Sequence, residues 1–185
     1  MSDPFQANTK TKEFLRPESL LAAIPLTPGM TIADFGCGNG FYAVAAGTLV
    51  GKKGQVFALD ILEEALSQTA TLAKLQRLHN VSTKQCDLEK LGGSTLLDTT
   101  SDLVIISGLL HQVKSKLDIL REAYRVLKTA GRVLVVEWYP DVQFGPPPRD
   151  RIGKDEVQQL LAQLGFRPVR ELPAGAFHYA LLYSK

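Results

Sequence analysis

The stretch A33-D-F-G-C-G-N-G-F-Y42 sets three glycines at alternate positions directly behind an acid, Asp34. Glycine lacks a Cβ and tolerates positive φ, so Gly36, Gly38 and Gly40 permit a tight turn whose amides a ligand can approach closely. The run before it, T31-I-A-D-F35, reads as a short buried strand, and F41-Y-A-V-A-A-G-T-L-V-G51 after it reads as a helix. A glycine turn between a strand and a helix is the first half of a βαβ unit. Four more β-rich runs repeat that alternation, at 55–60 (QVFALD), 81–87 (VSTKQCD), 102–107 (DLVIIS) and 132–138 (RVLVVEW). Such alternation predicts an α/β fold built on a parallel sheet, with ligands at the carboxyl ends of the strands.

The helical segments lie between these runs. In residues 64–80 Ala65, Leu66, Thr69, Leu72, Ala73, Leu75 and Gln76 form a mixed stripe, with Asn80 read as its end. In 116–132 Leu117, Leu120, Tyr124 and Leu127 recur at helical spacing, Lys128 falls in the last turn and Gly131 is the expected stop. In 154–165 Val157, Leu160, Leu161 and Leu164 lead to a closing Gly165. Three consecutive prolines, 146–148, exclude helix interior and central strand and mark a crossing loop. Residues 166–172 and 178–184 flank a turn, PAGA, and read as a final antiparallel pair.

Composition narrows the class. A chain of 185 residues, with 45% hydrophobic residues, is expected to form a single domain, 1–185, whose first 28 residues act as a helical segment or lid. A net charge of +2 gives no strong nucleic-acid signal, and no apolar run is long enough for a membrane span. The basic-then-apolar start of a secretory leader is missing, so a cytoplasmic protein is expected. Two separated cysteines, Cys37 and Cys86, supply neither a metal knuckle nor a redox pair, and no metal site is expected.

Three ligand classes compete for the glycine turn. A phosphate-binding P-loop would place Lys and then Ser or Thr after its last glycine, where Phe41 and Tyr42 stand. A dinucleotide turn has the spacing GxGxxG, whereas G36-C-G-N-G-F41 brings its third glycine one place early. Asp34, two residues before the first glycine, suits a cationic group better than a pyrophosphate.

D34-F-G-C-G-N-G40 resembles the first motif, D/E-x-G-x-G-x-G, of the class I S-adenosylmethionine-dependent methyltransferases. The resemblance continues through Asp60 ending the second strand, Asp87 after the third, D102-L-V-I-I-S-G-L-L-H-Q-V113 at the fourth, and the segment 121–138 into the fifth, covering roughly residues 14 to 170. The branch it resembles most holds the quinone-biosynthesis C-methyltransferases and small-molecule relatives, with L15-R-P-E-S-L-L21 and R125-V-L-K-T-A-G-R132 as counterparts. It implies a Rossmann-like three-layer sandwich, seven strands mostly parallel with the last antiparallel, and S-adenosylmethionine as cofactor. By that resemblance Asp60 takes the ribose hydroxyls and Ile61 with Leu62 walls the adenine. Asp87 and the Leu88 amide meet the adenine edge, and the Ser107–Gly108 carbonyls meet the methionine ammonium. Removing Asp60, a strand-end acid, is expected to weaken the cofactor and spare the fold.

His111 follows on the fourth-strand loop, and its ordinary pKa near 6.5 suits a general base as well as a shaping role. Glu137, Trp138 and Tyr139 end the fifth strand and are candidate pocket walls; His79 and His178 read as structural. S107-G-L-L-H-Q112 lacks the Asn/Asp-Pro-Pro-Tyr tetrad of adenine and glutamine amino-methylating relatives, and two cysteines are too few for arsenite. A small-molecule methyl acceptor, at oxygen, nitrogen or carbon, is the leading expectation. So small a chain leaves its pocket to be completed by the N-terminal segment, a second subunit in a homodimer, or a protein partner. A non-catalytic cofactor-binding subunit and a nicotinamide-dependent oxidoreductase are the competing readings.

Overall fold

The computed structural model describes residues 15–185. Its elements run α1 (Pro17–Ala22), β1 (Thr31–Phe35), α2 (Phe41–Val50), β2 (Gln55–Asp60), α3 (Glu63–Leu75), β3 (Val81–Gln85), β4 (Ser101–Ser107), α4 (Lys116–Val126), β5 (Leu127–Trp138), a 3₁₀ turn (Pro148–Asp150), α5 (Lys154–Gln163), β6 (Arg167–Leu172) and β7 (His178–Ser184). One sheet of seven strands has the order β3-β2-β1-β4-β5-β7-β6. Strands β1 to β5 are parallel, and β7 runs antiparallel to both β5 and β6. The chain leaves β1 outward to β2 and β3, then returns to place β4 against β1. That reversal opens a crevice at the carboxyl ends of β1 and β4.

Strand periodicity divides the core into two layers. In β4, Val104 and Ile106 face one cluster while Leu103 and Ile105 face the other, and β5 repeats this with Val133 and Val135 against Leu134 and Val136. Ile119, Leu120, Ala123 and Val126 of α4, with Val157 and Leu161 of α5, cover the first face. Leu20 and Leu21 of α1, with Ala43, Ala46 and Val50 of α2, cover the second. Both faces are thus removed from water, which is why the central strands are nearly continuous apolar runs. Of the expected N-terminal segment, residues 1–14 lie outside the described residues, and Pro17–Ala22 is helical with its apolar side on α2's layer.

Helix ends are where local reading and structure part. Helix α5 ends as expected: Gly165 is left-handed, its amide bonding Ala162 O (3.0 Å) and that of Phe166 bonding Leu161 O (3.1 Å). Helix α3 stops at Leu75, before Asn80, because Arg77 takes the left-handed position (φ 56°), with Arg77 N on Lys74 O and Leu78 N on Ala73 O. Asn80 is buried and serves another helix, donating to Gly47 O (2.8 Å) and Gly51 O (2.9 Å) at the end of α2. Helix α4 also ends early, since the chain turns extended at Leu127, which pairs with Ser101 of β4. The left-handed residue there is Ala130 (φ 61°) and not Gly131. Lys128 is no helix-end cation either. Its ammonium holds both oxygens of Asp102 (2.9 and 2.8 Å), and Asp102 accepts the Thr31 amide at the start of β1. Strand β3 ends at Gln85, two residues short of the expected bound, because a turn begins at Asp87, whose carbonyl accepts Lys90 N (3.3 Å).

Asn80→Ala leaves two carbonyls of the α2 terminus without their buried donor. It should cost about 1–3 kcal/mol and lower the melting temperature, whereas a residue that merely followed α3 would be silent on replacement. Thermal and urea unfolding of the two proteins measures the difference.

Candidate functional site

The turn after β1 is built on the end of β2. The amides of Gly36 (2.8 Å) and Cys37 (3.0 Å) both donate to Leu59 O, and the Gly38 amide donates to Asp60 Oδ2 (3.0 Å). All three glycines have positive φ, 71°, 50° and 80°. They do different work. Around Gly38 a Cβ would meet nothing within 4 Å, and the residue borders the crevice. At Gly40 a Cβ would lie 2.8 Å from the Thr69 backbone, so this glycine lets α3 pack against the turn and does not border the crevice. Thr69, which reads in sequence as part of an apolar stripe, is fully buried and donates its hydroxyl to Gly38 O (3.1 Å).

The crevice is a cleft of about 490 Å³. Gly36, Gly38, Asp60, Ile61, Asp87 and Leu88 line it, together with Leu62 and Gly108. Asp60 is only 9% exposed, so its removal would not spare the fold as expected of a strand-end acid. Besides the Gly38 bond its Oδ1 accepts the Leu62 amide (3.0 Å), so one carboxylate pins both banks of the cleft and still has free lone pairs. Ile61 and Leu62 stand on the rim 59% and 63% exposed, an apolar lip left uncovered by the described residues. Asp87 accepts the Glu89 amide (3.1 Å) and pairs with Lys90 (3.0 Å); that hydrogen bond holds its carboxyl below the usual range. Glu89, unremarked in sequence, accepts the amides of Lys114 and Ser115 and ties the two loops that form the far wall.

Asp34, Gly40, Ser107 and His111 do not border this cleft. Ser107 ends β4 opposite Val136, with the buried Tyr42 ring beside it. His111 lines a second cavity, about 640 Å³, with Gln112, Trp138, Gly145, Pro146 and Asp150. Gln112 borders both cavities, and its amide nitrogen donates to Gly108 O (2.5 Å). Behind His111 sits Glu137, fully buried, its Oε2 2.8 Å from His111 Nδ1 and its Oε1 accepting the Leu110 amide (2.7 Å). In sequence Glu137 reads as a wall residue; only the adjacency of β4 and β5 brings it under His111. His178, remote in sequence, is carried to the same rim by the antiparallel β7, opposite Trp138 and with ring centroids 4.0 Å apart.

The proline loop forming the outer wall is tied by one side chain. Arg151 donates to the carbonyls of Tyr139, Pro140, Val142, Phe144 and Pro146. Gly145 lies flat on Trp138, where a Cβ would come within 2.5 Å of the indole. Among the described residues no group of three or more His, Cys, Asp or Glu is placed to hold a metal ion, and no helix is long and apolar enough to cross a membrane.

Comparison with known proteins agrees with this architecture. Residues 26–164 match a family described as a methyltransferase domain. An arsenite methyltransferase of Aquipseudomonas alcaligenes is 30% identical over 141 residues, 74% of this chain and 40% of that protein. A ubiquinone/menaquinone biosynthesis C-methyltransferase, UbiE, of Escherichia coli O1:K1 / APEC is 36% identical over 111 residues, 60% of this chain and 43% of that protein. The chain therefore spans about two-fifths of the length of these curated relatives. The crystal structure of a SAM dependent methyltransferase from Aquifex aeolicus superposes with a TM-score of 0.85 at 28% identity, covering 96% of this chain and 93% of that one.

Two groups near the site have their proton affinities altered by burial: Asp34 behind the glycine turn, and the half-buried His178 beside Trp138. Burial, opposed by the Ala43 amide and reinforced by the charge of Asp60, pushes the Asp34 carboxyl up to about 7, and its Oδ2 has no hydrogen-bond partner among the described residues. Burial lowers His178 to about 4. A raised carboxyl contributes stability that is complete below its unfolded pKa near 3.8 and is lost as pH rises to about 7. His178 acts in the opposite sense below pH 6.5, so the two offset in the wild type. Asp34→Asn isolates the first. The stability of the ligand-free wild type relative to this variant should fall by about 2–4 kcal/mol between pH 4 and pH 8, and parallel urea-midpoint curves would assign Asp34 an ordinary pKa.

Proposed function

Because the chain belongs to the methyltransferase-domain family, we propose that it binds S-adenosylmethionine in the cleft and transfers the methyl group to a small-molecule acceptor. The observation that carries this reading is the Asp60 carboxylate, held by two amides with lone pairs to spare beside the uncovered lip of Ile61 and Leu62. An acceptor of hydrogen bonds next to an apolar lip suits a nucleoside, whose ribose is polar and whose base is flat. Asp34, with an unpartnered oxygen behind the glycine turn, favours a cationic group there, and no Lys or Arg stands on that turn to neutralise a pyrophosphate. The residues thus fit this cofactor better than a nicotinamide dinucleotide.

In this assignment Gly36 and Gly38 leave room along the turn, Asp60 takes the ribose, Ile61 and Leu88 flank the base, and Asp87 meets the base edge. Asp34 and Ser107 act from behind the lining, on the charge and shape of the methionine end, and Gly40 acts by packing. When bound, S-adenosylmethionine supplies an electrophilic methyl on a sulfonium that departs as a neutral thioether. The chain's own contribution is positioning, because a reactive methyl needs mainly an aligned acceptor. His111 faces the second cavity, which Gln112 joins to the cleft, and that cavity is assigned to the acceptor.

Arsenite, acceptor of one relative, suits this chain poorly. Burial pushes the thiols of Cys37 and Cys86 up to about 12 and about 11, away from the thiolate form that binds soft metalloids. The whole of 1–185 is assigned to one domain, working in the cytoplasm, where two unpaired thiols are unexceptional. A second copy in a homodimer is the simplest cover for the open side of the acceptor cavity.

Asp60→Ala should weaken S-adenosylhomocysteine roughly 10- to 150-fold, since charge-assisted bonds of about 1.5–3 kcal/mol are lost. It should also cost about 1–3 kcal/mol of stability, because the Gly38 and Leu62 amides lose their acceptor. Asp60→Asn keeps an acceptor oxygen and should be milder on both counts. Calorimetric titration with S-adenosylhomocysteine and with NADH, alongside melting temperatures without ligand, measures these effects. Unchanged affinity in a folded Asp60→Ala protein, or tight binding of NADH alone, would sink the reading.

A further inference from the structure

Glu137 is a buried acid that neither the fold nor the cofactor cleft requires. It is completely enclosed, yet it sits at the end of β5, one residue from the cavity wall at Trp138, and among the described residues two groups bond it: the Leu110 amide at Oε1 and His111 Nδ1 at Oε2. A carboxylate can only accept, so in the neutral ring facing an ionised Glu137 the His111 proton sits on Nδ1 and Nε2 keeps a lone pair. The Leu110 bond matters as well, because it fixes the other oxygen and so the plane in which the imidazole is gripped. The ring itself is 11% exposed, and its exposed side is the second cavity.

That cavity has a definite chemical character. Trp138, Gly145 and Pro146 make one flat apolar side of an open recess whose other side, His111, Gln112 and Asp150, is polar, and the Arg151 knot on five carbonyls holds the loop that carries Gly145 and Pro146. Its charged lining residue is Asp150, with Glu137 behind the histidine. Among the described residues no cation lines it, since the Arg151 guanidinium is already spent on carbonyls and Arg149, 3.7 Å from Asp150, is not part of the wall. An anionic acceptor would meet negative charge; a soft nucleophile would have no use for a base.

Resting on the methyl-transfer reading above, we propose that Glu137 is a positioning residue that holds His111 as a proton acceptor at Nε2, and that the cavity before it takes a neutral, flat acceptor bearing an acidic hydroxyl, of the phenol class. The acceptor O–H bond breaks as the Nε2–H bond forms. The electron pair stays on oxygen and would form the new bond to the methyl carbon as the sulfur–methyl bond breaks and its pair leaves on the neutral thioether; the imidazolium, paired with Glu137, later releases its proton to water at the cavity mouth. Other groups that face the pair are Tyr179, opposite Glu137 on β7 and bonded through its hydroxyl to Ile152 O, His178 beside Trp138, Tyr139, and Asp150. Burial keeps the Tyr179 hydroxyl protonated and His178 neutral at the pH of the test.

The test is nitrogen-15 NMR of the imidazole rings at pH 8, with only three histidines in the chain to assign. Wild-type His111 should show the Nδ1–H tautomer. In Glu137→Gln the amide oxygen keeps the Leu110 bond while its nitrogen donates to Nδ1, so the ring should switch to Nε2–H with S-adenosylhomocysteine affinity within about twofold. In the presence of S-adenosylhomocysteine, catechol should shift the His111 signals and benzoate should not. With S-adenosylmethionine, kcat for catechol methylation should fall about 100- to 10,000-fold in Glu137→Gln and in His111→Gln, with KM within about twofold. A wild-type Nε2–H tautomer overturns the role of Glu137. Benzoate binding, or neither shift nor turnover with catechol, overturns the acceptor class. Failure of S-adenosylhomocysteine to bind would instead strike the methyl-transfer reading, and the tautomer of the free protein would still decide Glu137.

Discussion

Two amides on one carbonyl and a third on the neighbouring carboxylate hold the working end of this protein together. Gly36 and Cys37 share Leu59 O, and Gly38 takes Asp60 Oδ2, so the turn after β1 is built on the last two residues of β2. Everything at the cleft follows from that clasp. It sets where α2 begins, it brings the turn against Thr69 of α3, and it holds Asp60 between the turn and the Leu62 amide. The parallel β1–β2 register, with Phe35 opposite Leu59, is what delivers those groups to one another.

Buried acids define the rest of the rim by how fully their oxygens are satisfied. Burial alone would raise the Glu122 carboxyl, but bonds from Arg125, Ser94 and the Gly92 and Ser94 amides more than offset it, bringing it down to about 2 and anchoring the 92–98 loop. Asp60 and Glu137 each hold two donors and stand next to a cavity. Asp34 keeps an oxygen without a partner among the described residues. A fully satisfied acid is structural, whereas an acid with spare acceptor capacity facing a cavity is available for a ligand or a neighbouring side chain. The contrast separates scaffold from site more cleanly than residue type does.

Much of this was legible without coordinates. The seven strands, the parallel order implied by alternation with helices, and the antiparallel final pair follow from periodicity, since both faces of β4 and β5 must be apolar when helices cover both. The stripe on α5 and its glycine stop were correctly placed; of that read on α4, Leu120 and Leu127 are fully buried and Tyr124 packs against the same core, which Ile119, Ala123 and Val126 extend. Helix ends at Arg77 and Leu127 were misplaced because a non-glycine residue adopted the left-handed conformation in one case and strand pairing to Ser101 ended the helix in the other. Propensity cannot see a partner strand. Asn80 and Lys128 were read as marks on their own helices and belong instead to α2 and to Asp102.

By itself, then, the chain determined the sheet and the glycine turn, because these rest on local spacing: glycines in a short run and period-two and period-3.6 apolar patterns; the family came from the resemblance of its ordered motifs. Only the tertiary structure decided which of the three glycines faces the cleft, which packs a helix, and that Asp60 is enclosed rather than solvated. It alone paired His111 with Glu137 and set Gln112 between two cavities. The physical reason is distance along the chain. Twenty-six residues separate His111 from Glu137, and they meet only because β4 and β5 are hydrogen-bonded neighbours whose carboxyl ends open on the same rim.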